Sequence, residues 1–148
     1  MARFLIVAHQ TAASNELVER AKARMATDPS AEFVLLVPAT PTYHLLTWEE
    51  GEARLGAARR GAAAAAKLRE AGVRLAGVRV GVASPMEAVG DELLLHPGYE
   101  GIVLSTFPPG ISRWLKGDLP SRLQLRYRLP IDHVVAAPAT AHSTQAGQ

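Results

Sequence analysis

The sequence predicts a single three-layer α/β domain, a five-stranded parallel sheet with helices on both faces. Short runs of branched apolar residues recur along the chain. Most are apolar on consecutive positions rather than alternating, as parallel strands covered on both sides require. Between the runs lie longer stretches of helical period opened by capping residues, so strand and helix alternate to a final strand. The length of 148 residues, 48% of them hydrophobic and 20% charged, sets the scale of one domain with its own core.

The first strand is read at 4–8. Ser14 is placed to cap the helix after it, in which Val18, Ala21 and Met25 share a face until Asp28-Pro29 ends the run. The second strand is read at 33–37. Thr47-Trp48-Glu49-Glu50 has the form of a capping box, Thr47 bonding forward and Glu50 reaching back. Trp48, Leu55, Ala58, Ala62 and Ala65 then keep helical spacing until Gly72 stops the helix.

The third strand is expected at 78–82. Ser84-Pro85-Met86-Glu87 forms a second box with proline at the first helical position, and Met86, Val89 and Leu93 make its buried stripe. After His96-Pro97-Gly98 come a fourth strand at 102–104, a proline-rich loop, a helix near 119–128 and a last strand at 134–136. Residues 1–137 are read as the domain, and the small, polar residues 138–148 as a disordered tail.

Composition excludes several classes of function. No apolar run approaches the ~18 residues that cross a bilayer. The first strand is too short for a secretory signal and runs into His9-Gln10 without a cleavage site. The absence of cysteine removes disulfides, thiol catalysis and thiolate metal sites. Sixteen basic against fourteen acidic side chains leave a net charge of +2, too small to point to nucleic acid. A cytoplasmic protein with neither membrane nor nucleic-acid partner is expected.

In open parallel sheets, ligands bind beyond the carboxyl ends of the strands, where the strand order reverses. With an order of 3-2-1-4-5 that point lies between the first and fourth strands, bordered by residues 9–14 and 105–121. The second loop is the most unusual text in the chain: Ser105-Thr106-Phe107-Pro108-Pro109-Gly110-Ile111-Ser112-Arg113-Trp114-Leu115-Lys116-Gly117-Asp118-Leu119-Pro120-Ser121-Arg122.

This loop resembles that of the universal stress protein family, whose members have the order 3-2-1-4-5 and often carry G-x-x-G-x9-G-[S/T] after the fourth strand. Gly110 matches the second glycine and Ser121 the terminal hydroxyl. Ala83-Ser84-Pro85-Met86-Glu87-Ala88-Val89 is similar to the family's G-D-P-x-x-A-I. Leu5-Ile6-Val7-Ala8-His9 is similar to its first strand, with His9 where an aspartate is usual. The resemblance runs from residue 3 to residue 136. It implies an adenine-nucleotide site, with backbone amides near the phosphates of ATP and adenine beside Val37, and a homodimer formed through residues 131–136.

Two departures alter that implication. Phe107 replaces the first glycine, and its side chain blocks close approach of the backbone to a phosphate. Pro120 replaces the third and has no N–H to donate. ATP held in the family manner is therefore not expected. A small anionic ligand, or a nucleotide in a modified pose, is. The candidate binding residues are His9, Gln10, Val37, Ser105, Gly110, Ser112, Arg113, Ser121 and Arg122.

Arg113 and Arg122 can offer bidentate contacts in place of lost backbone donors, or can line a solvated helix face. His9 can bond a ligand or cap the turn from Thr11 to Ser14. His44, His96, His133 and His142 have no metal-ligand spacing, so no metal is expected.

No G-x-S-x-G, P-loop or Rossmann glycine pattern occurs. Asp132 and His133 are neighbours on a strand and face opposite ways, which rules against a triad. The expected function is a non-catalytic regulator or sensor of universal-stress-protein type. The alternative is a ligand-free homodimeric scaffold. In it Val134 and Val135 suit edge pairing, Asp132 and His133 could guard against it, and Phe107 with Pro108-Pro109 fills the crevice.

Overall fold

The computed structural model describes residues 2–41 and 50–138. His44, the capping-box residues Thr47 and Trp48, and the expected tail beyond Pro138 lie outside the described residues.

The elements run β1 (Arg3–Val7), α1 (Asn15–Thr27), β2 (Glu32–Pro38), α2 (Glu50–Glu70), β3 (Leu75–Gly81), α3 (Pro85–Leu95), β4 (Gly101–Thr106), α4 (Arg113–Lys116), α5 (Leu119–Tyr127) and β5 (Ile131–Val135). The five strands pair in parallel in the order β3-β2-β1-β4-β5. The expected architecture and strand order are therefore observed.

The continuous apolar runs bury both faces of the central strands. Leu5, Val7, Val34, Leu36, Ile102 and Leu104 meet Ala88 and Val89 of α3 and Leu119 and Leu123 of α5. Phe4, Ile6, Phe33, Leu35, Val37 and Val103 meet Leu17, Val18 and Ala21 of α1 and Ala57, Ala64 and Leu68 of α2. Truncating a fully buried leucine such as Leu5 or Leu35 to alanine costs ~2–5 kcal/mol.

Several details differ from the sequence reading, each for a physical reason. Both edge strands begin three residues earlier than their apolar runs. β5 opens at Ile131 because an edge strand tolerates Asp132 and His133, and β3 opens at Leu75, where Ala76 and Gly77 carry too little side chain to mark a strand. In α2 the buried face is Ala57, Gly61, Ala64, Ala65 and Leu68, whereas Leu55, Ala58 and Ala62 are exposed. Alanine all round that helix leaves periodicity weak, and Gly61 sets the face instead. A Cβ there would lie 2.9 Å from Val78 Cγ1, so only glycine lets α2 approach β3 this closely.

In α3 the capping serine behaves as expected, Ser84 Oγ accepting from Glu87 N at 3.3 Å. The same helix buries a carboxylate that periodicity did not mark. Glu92 accepts from Tyr99 Oη at 2.7 Å and from Arg79 Nε at 2.8 Å, tying α3 to the edge strand β3 and to the entry of β4. The short α4 interrupts the proline-rich loop and was not anticipated.

Candidate functional site

β1 lies between β2 and β4, so the loops after β1 and β4 leave the sheet in the gap where the strand order reverses. Past Ala8, whose N–H still bonds Leu36 O, the chain turns polar with His9, Gln10 and Thr11. Ala12 N bonds His9 O at 3.2 Å, and Ser14 N bonds Thr11 O at 3.0 Å. Ser14 Oγ then accepts from Leu17 N at 3.1 Å and starts α1. The turn from Thr11 to Ser14 is thus closed by the Thr11 carbonyl, and the one before it by the His9 carbonyl, not by the His9 ring.

The other border is built from β4 outward. Ser105 and Thr106 end that strand and are buried. Ser105 Oγ lies 2.6 Å from Thr11 Oγ1, a hydroxyl pair that joins the two loops at the floor of the gap. Pro108 O then accepts from both Ile111 N and Ser112 N, and Gly110 sits inside that turn at φ +92°, a conformation glycine adopts without strain. Ser112 Oγ caps α4 by accepting from Leu115 N at 3.2 Å.

Between these borders opens a cavity of about 130 Å³. His9, Gln10 and Thr11 line it from β1, Thr40 and Pro41 from β2, and Ser105, Thr106 and Phe107 from β4. Ile111, Ser112, Arg113 and Trp114 complete the wall. Phe107 forms one side and leaves the hollow open rather than filling it.

The His9 imidazole is lowered to about pKa 4, chiefly because burial penalises its charged form and secondarily because the Arg60 guanidinium lies nearby. The ring is neutral at pH 7, lines the cavity and makes no hydrogen bond to a described residue. Thr106 Oγ1 lies 2.8 Å from both Phe107 O and His133 Nε2; where its single hydrogen goes to the carbonyl, the imidazole N–H donates the second bond. The pKa of His133 is also lowered, first by burial and then by Arg20, with Asp132 opposing.

Of the residues singled out from sequence, the structure brings His9, Gln10, Ser105, Ser112 and Arg113 together around the cavity. Val37 is fully buried against α2. Gly110 shapes the loop without lining the hollow. Ser121 and Arg122 lie exposed on α5, where Arg122 Nη1 donates to Gly117 O at 3.4 Å. Thr11, Thr40, Pro41, Ile111 and Trp114 were not singled out. The only sequence signal for Thr11 was the polar run after an apolar strand.

The start of α5 is poorly built for a phosphate. Asp118 precedes it at φ +53° with no side-chain cap bond, placing a carboxylate where the helix favours an anion. Pro120, in the first turn, withholds a donor.

Among the described residues no group of three or more His, Asp or Glu could hold a metal. No described helix is long and apolar enough to cross a membrane. Asp132 turns away from His133 to bond Arg20, with Arg24 Nη2 at 3.6 Å, so the two do not form an acid–imidazole pair.

No protein-family model matches the chain, and no curated protein does. Solved structures do. A universal stress protein from Archaeoglobus fulgidus aligns at TM-score 0.61 and 15% identity, covering 90% of this chain and 93% of that one. A universal stress protein family member from Burkholderia pseudomallei aligns at 0.58 and 18% identity over 91% and 96%. A universal stress protein solved in complex with cAMP aligns at 0.56 and 14% identity over 91% and 97%. The chain has the universal stress protein fold.

Proposed function

We propose that this protein is a non-catalytic ligand-binding domain, a cytoplasmic regulator or sensor of universal-stress-protein type that holds a small molecule in the cavity beyond β1 and β4. The observation that carries the reading is the hollow itself, at the reversal of strand order, with hydrogen-bonding side chains brought to it from three strand ends. The cAMP complex of a structural neighbour supports a small ligand.

The absence of catalysis is part of the proposal. His9 makes no hydrogen bond to a hydroxyl among the described residues, and the Thr106 hydroxyl beside His133 is also held by Phe107 O. Calorimetric titration with cAMP, AMP, ADP and ATP tests the reading. Heat that disappears on filling the hollow with Ser112→Trp supports it. No heat with any of the four, together with an empty cavity in crystals soaked with them, defeats it.

A second reading, homodimerisation through β5, is favoured by one observation. Asp132 is folded back onto Arg20 and Arg24 of α1, and His133 onto Thr106, so neither polar side chain guards the outer edge. Val135 stands 43% exposed beside it. Sedimentation at several concentrations decides, and a strict monomer at all of them removes this reading.

A further inference from the structure

The cavity differs from an anion cradle in where its donors are committed. Around it, the amides of Ala12, Ser14, Ile111 and Ser112 already bond carbonyls of their own loops. Thr11 and Ser105 bond each other, which occupies the hydrogen of one of them, and the Thr106 hydroxyl is held by Phe107 O and His133. Among the described lining residues, what remains uncommitted is one hydroxyl hydrogen of that pair, the Ser112 hydrogen, the Gln10 amide, the Trp114 indole N–H, and the imidazole of His9 with one donor and one acceptor.

That set suits an uncharged group with both a donor and an acceptor. Beside the Thr11–Ser105 pair no described lysine or arginine other than Arg113 lines the hollow, so a carboxylate or phosphate pushed in there would lose its hydration for little ion pairing, and unpaired buried charge is strongly disfavoured. Arg60 is near enough to oppose protonation of His9, but it does not line the hollow. Arg113 does line it and is exposed to solvent.

Size and wall chemistry narrow the shape. The volume of about 130 Å³ is close to the ~150 Å³ apolar cavity that holds benzene, the scale of one six-membered ring. Phe107 and Trp114 supply aromatic surface against which a flat ring packs with gain.

We infer that the cavity takes a ligand whose inward end is a single planar ring bearing an uncharged hydrogen-bonding group, with any negative charge left outside the hollow. This rests on the ligand-binding reading above and adds the chemical class of the inserted end.

The test uses two probes of one shape and different charge, benzamide and benzoate, titrated at pH 7 into the labelled full chain. NMR signals of the His9 ring and the Ser105 amide report occupancy. The expected result is saturable shifts at both residues with benzamide, and a Kd at least tenfold lower than that of benzoate. Benzoate binding as tightly as benzamide overturns the inference and leaves a ligand site of the opposite charge preference. If cAMP shifts those signals and neither probe does, the inference fails and the proposed function stands. If none of the three shifts them, both fail.

Discussion

Thr11 Oγ1 and Ser105 Oγ lie 2.6 Å apart in the wall of the cavity, joining the loop after β1 to the end of strand β4. Both side chains are buried, so each hydroxyl depends on the other. Ser105→Ala strands the Thr11 hydroxyl and is expected to cost ~1–3 kcal/mol, and Thr11→Val likewise. The double variant loses less than the sum, because neither partner is then left unsatisfied. Urea unfolding of the four proteins in a double-mutant cycle measures the coupling, and strict additivity contradicts the pairing.

His9 makes stability depend on pH in a defined direction. Its folded pKa, about 4, is below the ordinary 6.5, so the unfolded chain binds the proton first. The stabilisation is fully present above pH 6.5, declines as the pH falls through 6.5 towards 4, and is flat below. At 1.36 kcal/mol per unit the whole step is at most ~3 kcal/mol. His9→Gln removes this part of the profile. Urea midpoints of both proteins from pH 7.5 to 4 give the difference curve, and a difference independent of pH in that window contradicts the assignment.

α2 offers two glycines with opposite expectations. Nothing lies within 4 Å of a Cβ at Gly56, so Gly56→Ala gains helix propensity alone, ~1 kcal/mol. At Gly61 the added carbon meets Val78 Cγ1 at 2.9 Å, the end of a stiff branched side chain. Gly61→Ala is expected to lose more to overpacking, ~1–3 kcal/mol, than it gains. Thermal melts should move up for the first variant and down for the second.

These contrasts mark what the sequence could carry. Consecutive apolar residues at 4–8 and 33–37 signal strands covered on both faces because the runs are too short for a buried helix and rich in branched side chains, and Ser14 and Ser84 signal helix starts because their hydroxyls bond locally. The buried face of α2 was illegible, since alanine suits either side and a distant contact between Gly61 and Val78 decides the matter. Glu92 was illegible as well. A single acid in a helix looks solvated until Tyr99 and Arg79 are seen to converge on it. At the cavity, His9 and Ser105 could be read from their places at strand ends. Thr40 and Pro41 could not, because they belong to a third loop that only the folded sheet brings alongside.

The convergence on Glu92 has its own consequence. Burial and the bond to this carboxylate both raise the Tyr99 pKa, so the phenol stays a donor throughout the usual pH range. Tyr99→Phe leaves the buried Glu92 with Arg79 alone and is expected to cost ~1–3 kcal/mol. Glu92→Gln in the Tyr99→Phe background should cost less than it does in the wild type, because the carboxylate has already lost one partner. Chemical denaturation of the three variants checks both statements.

The two departures from the glycine pattern are expected to separate in function. Phe107 lines the cavity, whereas Pro120 lies in the first turn of α5 and does not. Phe107→Ala removes an aromatic wall worth ~0.5–1.5 kcal/mol to a stacked ring, so benzamide binding should weaken about threefold to tenfold. Pro120→Ala returns an N–H to the helix start beside Asp118 without touching the hollow, and benzamide should bind as before. The same titrations with ATP probe the lost phosphate grip. A gain for Pro120→Ala would mean that the missing amide alone had barred the triphosphate. No gain would place the barrier in the Asp118 carboxylate and in loop amides already committed to their own turns.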